Sequence, residues 1–293
     1  MIAFRRILCP IDFSAPSRHA LDHAVEIARW YGGTITALHV MHPVPYADPL
    51  MAGALVITPQ DLERAAQELT RFVGDEVGQT PIDTVVAQGS AAAVILEQAR
   101  ALPADLVVLG THGRRGFEHF MLGSVTERVL RKAPCPVLTV PPRVADAVAV
   151  GPVLFQQILC GVDFSPASDT ALAYAASLAR ESRAHLTLVH VVEPRPVYEP
   201  VAAGAAGTTT FEEAFVAAAT ERLHELAPRS PHVTEAVVVG KPYRALLERA
   251  RQDRSDLIVI GAHGGLADRI GFFGSTTNHL VREAACPVLS LRA

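Results

Sequence analysis

No run of about 18 apolar residues occurs in the 293-residue chain, so no transmembrane helix is expected. Cysteine is scarce: four residues, at positions 9, 135, 160 and 286, form no CxxC pair, which excludes the common zinc modules. Such thiols read as buried and reduced, as in a cytoplasmic protein. Basic residues are not in excess. Lys and Arg number 26 against 30 Asp and Glu, a formal net charge of −4, so nothing draws the chain to nucleic acid or an anionic membrane. The N-terminal "MIAFRRILCPIDFS" lacks a long apolar region and a small-residue cleavage site, and reads as a first strand, not a signal peptide.

Several phosphate and catalytic signatures are also missing. "PIDFS" stands where a dinucleotide fold would carry G-x-G-x-x-G after its first strand. "VVVGKPY" holds Gly-Lys, but no upstream glycine completes a Walker A loop. Neither H-E-x-x-H nor G-x-S-x-G is found.

What is present is one unit written twice. "ILCPIDFS" (7–14) returns as "ILCGVDFS" (158–165), "LHV" (38–40) as "VHV" (189–191), and "APCPVL" (133–138) as "AACPVL" (284–289). Gly89 returns as Gly240 and Asp105 as Asp256, always 151 positions later. The stretch 141–156 carries no matched landmark. A linker over 143–154 therefore separates a domain at 1–142 from a second at 155–293. With 49% hydrophobic and 19% charged residues, both copies can build packed cores.

Within a copy the periodicity alternates. "RRILCPI", "TITALHV", "IDTVVAQ", "ADLVVLG" and "PVLTV" are short apolar runs rich in β-branched residues. Between them, "SRHALDHAVEIARWYGG", "LERAAQELTRFVGDEV", "SAAAVILEQARAL" and "SVTERVLRKA" have helical spacing. The fold class is α/β: two tandem, open, doubly wound domains, each a five-stranded parallel sheet. Ligands of such sheets bind beyond the carboxyl ends of the strands, where the strand order reverses.

The marked residues fall at those ends. Asp12 follows strand one, Val40 ends strand two and Gly110 ends strand four. "GTHGRRGFEHFMLGS" (110–124) and "GAHGGLADRIGFFGS" (261–275) share the frame G-x2-G-x9-G-S, and each frame runs into a helix start that suits phosphate. Plainer readings stand beside this one. "SVTE" (124–127) spells a capping box, so Ser124 reads equally as a helix cap. Gly110 and Gly113 also suit a tight turn, and His112 and His263 suit loop packing as well as phosphate contact. His19 and His23 share a helix face at i, i+4, but no third zinc ligand is evident. A redox role for Cys9 and Cys160, beside the Asp, is a minor alternative.

The repeated frame, with an Asp after strand one, resembles the universal stress protein family in its tandem, ATP-binding form. The resemblance implies a Rossmann-like fold of the adenine nucleotide alpha hydrolase type, with strand order 3-2-1-4-5 in each half, and ATP, with or without Mg, as the ligand. It implies that Asp12 and Asp163 meet adenosine and that Val40 and Val191 contact adenine. Gly110, Gly113, Gly123 and Ser124, and in the second half Gly261, Gly264, Gly274 and Ser275, would hold ribose and phosphates. Pro10 before the Ile-Asp pair and Val125 after the serine follow common family spellings; the second copy has Gly161 and Thr276. Arg114 and Arg115 of the first frame become Gly265 and Leu266, with Arg269 later in the second, so the sites need not treat a triphosphate alike. The long connections "MHPVPYADPLMAGALVITP" and "EPRPVYEPVAAGAAGTTT" read equally as lids or as disordered surface. The implied function is a cytoplasmic nucleotide-dependent regulator or sensor of stress, read by a protein partner. The two halves would face each other as an intramolecular pseudo-dimer, and chains could form a homodimer. Alternatives are a slow ATPase or autophosphorylating protein, an adenylating enzyme, and a nucleotide-free protein working through contacts alone. No general base or metal pair is evident for turnover.

Overall fold

The computed structural model describes residues 2–42, 57–74, 80–111, 122–142, 155–194, 211–262 and 274–292. The chain divides into two compact units, Met1–Leu154 and Phe155–Ala293. The linker at 143–154 lies outside the described residues.

The first unit runs β1 (Arg6–Ile11), α1 (Ala15–Tyr31), β2 (Thr34–Met41), α2 (Pro59–Val73), β3 (Ile82–Gln88), α3 (Ala91–Ala101), β4 (Leu106–Gly110), α4 (Ser124–Lys132) and β5 (Val137–Val140). Its strands pair in parallel in the order β3-β2-β1-β4-β5. The second unit runs β6 (Gln157–Gly161), α5 (Pro166–Ser182), β7 (His185–Val192), α6 (Phe211–Leu226), β8 (Val233–Val239), α7 (Pro242–Gln252), β9 (Leu257–Gly261), α8 (Ser275–Glu283) and β10 (Val288–Leu291). Its parallel order, β8-β7-β6-β9-β10, is the same topology. The alternation of apolar runs with helical segments leads to this arrangement because a parallel pair needs a crossover, and a helix supplies it. The central strands are covered on both faces: Ile7, Leu8 and Cys9 of β1 and Leu106, Val107 and Val108 of β4 are at most 1% exposed.

Two helices start earlier than their apolar spacing suggests, because caps set the start. Ser14 accepts from the Ser17 N–H, so α1 opens at Ala15. Thr58 and Asp61 cap α2 reciprocally (Asp61 N–H to Thr58 Oγ1 3.2 Å, Thr58 N–H to Asp61 Oδ2 3.0 Å), and Pro59 takes the first turn. At its other end α2 stops at Val73, capped by Gly74, before the "GDEV" that spacing would include.

The repeated Asp105 and Asp256 serve the fold at the amino ends of the strands. Asp105 accepts from the Arg5 and Arg6 N–H groups at 3.1 and 2.9 Å and from the Arg6 guanidinium at 3.0 Å, tying β1 to β4. Asp256 accepts the equivalent N–H groups of Gln156 and Gln157, but Gln157 replaces the arginine. Burial pushes the Asp256 carboxyl above the usual carboxylate range, and the two N–H bonds only partly oppose it. A carboxyl with a raised folded pKa holds stability that is full below its unfolded value and is lost as pH rises through the folded one. Gln157→Arg should restore the guanidinium and stabilise the second unit by about 0.5–1 kcal/mol at neutral pH. The gain should vanish in acid, where Asp256 is protonated. Urea unfolding at the two pH values checks this; a gain that persists in acid would assign it to packing.

All four cysteines are free, Cys9 and Cys160 buried and Cys135 and Cys286 half-buried. Burial raises the Cys9 thiol strongly and pushes Cys135, Cys160 and Cys286 up to about 12, so these thiols stay protonated and poorly nucleophilic.

Candidate nucleotide site in each unit

At the carboxyl end of β1 the chain must turn sharply into α1, and Asp12, Phe13 and Ser14 make that turn. Asp12 Oδ1 accepts from the Ser14 N–H at 3.1 Å and from the Ser14 hydroxyl. Asp163 holds Ser165 in the same way, with the N–H at 3.0 Å. The residue between them has a left-handed backbone, φ +62° for both Phe13 and Phe164. That conformation costs an L-residue roughly 1–2 kcal/mol, and both copies retain it.

At the end of β4, two bonds join the ends of the glycine frame. Gly123 N–H donates to Thr111 O at 2.9 Å, and the buried Thr126 hydroxyl donates to Gly110 O at 2.9 Å. The start of α4 is thus anchored to the tip of β4. Glu127 N–H donates to Gly123 O at 2.9 Å as the first helical bond, so Gly123 is the N-cap and Ser124 the first residue inside the helix. The capping-box reading of "SVTE" is therefore corrected. Ser124 makes no side-chain cap bond, and the Glu127 carboxylate pairs with Arg131 at 2.7 Å instead. Helix geometry leaves the N–H groups of Ser124, Val125 and Thr126 without a carbonyl inside α4. With the exposed Ser124 side chain beside them, they form a donor set for an anion at the positive end of a helix.

The second unit repeats this with Gly274 as N-cap, Asn278 N–H donating to Gly274 O at 3.0 Å, and Ser275, Thr276 and Thr277 supplying the first-turn N–H groups. Thr276 adds a hydroxyl where α4 has Val125, and the missing capping-box glutamate makes no difference because glycine caps both helices.

Gly110 and Gly261 have a packing role of their own. A Cβ on Gly110 would stand 3.0 Å from Pro16 Cβ, and one on Gly261 would stand 2.8 Å from the Ala167 carbonyl carbon. The first turn of α1 or α5 lies directly on the glycine.

Pro10 makes the strand ladders of the two units unequal. Asp105 N–H donates to Arg6 O, so the even-numbered residues of β1 direct their backbone groups at β4. Pro10 is one of these and has no N–H to donate. The β1–β4 ladder accordingly pairs Ile7 with Leu106 and Leu8 with Val107, whereas β6–β9 continues to Gly161 with Ile260. The β1–β4 ladder of backbone bonds therefore ends two residue pairs earlier than its counterpart in the second unit. Val40 and Val191, both half-buried, sit near the ends of β2 and β7, in register with Ala87 and Val238.

The structure thus brings Pro10, Asp12, Val40, Gly110, Gly123, Ser124 and Val125 to the carboxyl end of one sheet. It does the same for Asp163, Val191, Gly261, Gly274, Ser275 and Thr276 in the other. Gly113, Gly264, His112, His263, Arg114, Arg115, Gly265, Leu266 and Arg269 lie outside the described residues, as do most of the two long connections. The His19 and His23 rings meet edge to face at 4.6 Å, with Nδ1 atoms bonded to the Pro141 and His19 carbonyls. Among the described residues no helix is long and apolar enough to cross a membrane.

Three residues per unit escaped the sequence reading: Thr126 and Thr277, the left-handed Phe13 and Phe164, and His39 and His190. Their signal was available, since each pair carries the same letter at the offset of 151.

The fold and the repeated crevice define a protein of two tandem, doubly wound α/β domains, each with a glycine-capped helix start anchored at its switch point. The model of the universal stress protein family matches residues 3–141 and 154–292, and the chain belongs to that family. It is 30% identical over 300 residues to a universal stress protein of Mycolicibacterium smegmatis, covering 98% of this chain and 96% of the relative. A universal stress protein of Methanocaldococcus jannaschii is 35% identical over 140 residues, 47% of this chain and 82% of that protein. The crystal structure of a universal stress protein from Archaeoglobus fulgidus has the same fold, with a TM-score of 0.70 at 20% identity over 98% of both chains.

Proposed function

We propose that the chain is an ATP-binding regulator or sensor of the stress response, with one nucleotide site in each unit. The observation that carries this reading is the anchored helix start. In the first unit, three first-turn N–H groups and the Ser124 side chain stand at the tip of β4, fixed there by the Thr126 and Gly123 bonds. They lie across the strand-order reversal from Asp12 and Val40. This donor set fits phosphate, and a carboxylate after β1 fits the hydroxyls or amine of adenosine. In this reading ATP supplies the phosphates and the adenosine that these groups hold, with or without Mg. Gly123 and Ser124 bind the phosphates, Asp12 orients the adenosine, and Val40 lies against the adenine. The second unit does the same with Asp163, Val191, Gly274, Ser275 and Thr276.

Binding at such a place would shift the population of a conformer that a protein partner reads. Pairing of the two units, assembly of two chains and a cytoplasmic location belong to the same proposal and rest on the family. A calorimetric series tests the reading. ATP should bind more tightly than ADP, and ADP more tightly than AMP, since each phosphate adds contacts with the helix start. Equal affinity for all three would remove the phosphate role of Ser124 and Ser275.

A further inference from the structure

We infer that His39 and His190 are positioning residues: each fixes the Asp-Phe-Ser turn that presents Asp12 or Asp163 to the ligand. The inference rests on the proposed reading of the site only for its ligand; the brace itself is a matter of geometry. His39 lies on β2, in register with Ile11, the last residue of β1. Its Nδ1 is 2.8 Å from Ile11 O. A carbonyl can only accept, so Nδ1 carries the proton and donates, and in the neutral ring Nε2 bears the lone pair. The carbonyl it holds belongs to the peptide that leads into Asp12.

The same imidazole also holds the residue after the aspartate. The Phe13 ring lies on it at 4.3 Å between centroids, tilted by 35°. Phe13 is the residue with the left-handed backbone, a conformation disfavoured unless its surroundings impose it. One side chain therefore grips the turn on both sides of Asp12, by a hydrogen bond before it and by ring contact after it. Asp12 closes the turn by accepting from Ser14.

The second unit repeats the device under different local conditions. His190 Nδ1 is 2.7 Å from Val162 O, and the Phe164 and His190 rings are 4.3 Å apart at 33°. Yet the neighbours differ. Phe72 meets the Phe13 ring edge-on at 5.6 Å, whereas the Arg222 guanidinium stands 4.4 Å from the centre of the Phe164 ring. Pro10 precedes the turn in the first unit and Gly161 in the second. The histidine geometry recurs with the Asp-Phe-Ser turn in both units although the packing outside the turn differs, so the brace belongs to the turn and not to its neighbours.

Amide hydrogen exchange on the intact chain, without nucleotide, reads the brace directly. In His39→Ala the Ser14 N–H should exchange about tenfold faster, having lost a hydrogen bond and a ring contact that support the turn. Ser165 in the second unit should be unaffected. His39→Asn, whose amide can donate from nearly the place of Nδ1, should recover part of the protection. Unchanged exchange at Ser14 in His39→Ala overturns the inference.

A second arm separates positioning from plain stability. With the second site silenced by Ser275→Asp, which repels any phosphate-bearing ligand, His39→Ala should weaken ADP and ATP by the same factor, about tenfold, because Asp12 acts on the adenosine moiety common to both. In a Phe13→Gly background the factor should shrink, since glycine adopts the left-handed backbone without a brace. A loss confined to ATP, or affinity within twofold of the parent, overturns the positioning role. If the parent chain binds neither ligand, the reading of the site fails, and the exchange experiment still decides the brace.

Discussion

Ser124→Asp should abolish most ATP binding by the first unit while leaving its fold as stable as before. Ser124 is the first residue inside α4, exposed and free of any cap bond, so a carboxylate there disturbs no packing. An acidic side chain in the first turn is favourable to the helix by about 0.3–1 kcal/mol. It would nevertheless occupy the place proposed for phosphate. Two like charges about 4–5 Å apart repel by roughly 3–4 kcal/mol at the effective dielectric of a protein surface. The expected loss is therefore about 100-fold or more. Ser275→Asp should do the same in the second unit. Calorimetric titration with ATP, paired with urea unfolding, checks both halves of the expectation. Undiminished affinity in a stable Ser124→Asp chain would place the phosphates elsewhere.

Gly261→Ala should act on stability first. Its Cβ would come within 2.8 Å of the Ala167 carbonyl carbon and 2.9 Å of the Ser168 N, both backbone atoms of the first turn of α5. Backbone cannot swing aside as a flexible side chain does, so α5 must shift on the sheet. A cost of about 2–3 kcal/mol is expected, at the upper part of the usual overpacking range. Gly110→Ala should cost less, about 1 kcal/mol, because its tightest contact is Pro16 Cβ at 3.0 Å. The only tryptophan of the chain, Trp30, lies on α1 and reports the first unit by fluorescence, while circular dichroism follows both. Gly261→Ala should move the dichroism transition and leave the Trp30 transition in place; Gly110→Ala should move the Trp30 transition. Equal shifts from the two substitutions would contradict the packing difference.

The sheet was legible because its evidence is periodic and was written twice. Runs such as "ADLVVLG" and "DLIVIG" become β4 and β9, buried on both faces, and no other period suits them. The frame glycines and Asp12 were legible as residues at strand ends. Their bonding was not. "SVTE" obeys the spelling of a capping box, yet Gly123 supplies the carbonyl for the first helical bond, so that reading falls one residue late. Phe13 carries no letter that favours a left-handed backbone; the Asp12–Ser14 bonds and the ring of His39 on the neighbouring strand surround it instead. Thr126 reads as an ordinary helix residue until its hydroxyl is seen to reach Gly110 across the turn. Each of these depends on contacts between strands or across a loop, which periodicity does not encode. The identical letters in both copies, "DFS", "HV" and the threonine two residues after "GS", were the trace they left.

Native mass spectrometry of the intact chain in ATP tests the two-site reading most directly. Two bound nucleotides are expected per chain, one in either Ser124→Asp or Ser275→Asp, and none in the double variant. A chain that stays free of nucleotide at saturating ATP, or a count that the double substitution leaves unchanged, would contradict it.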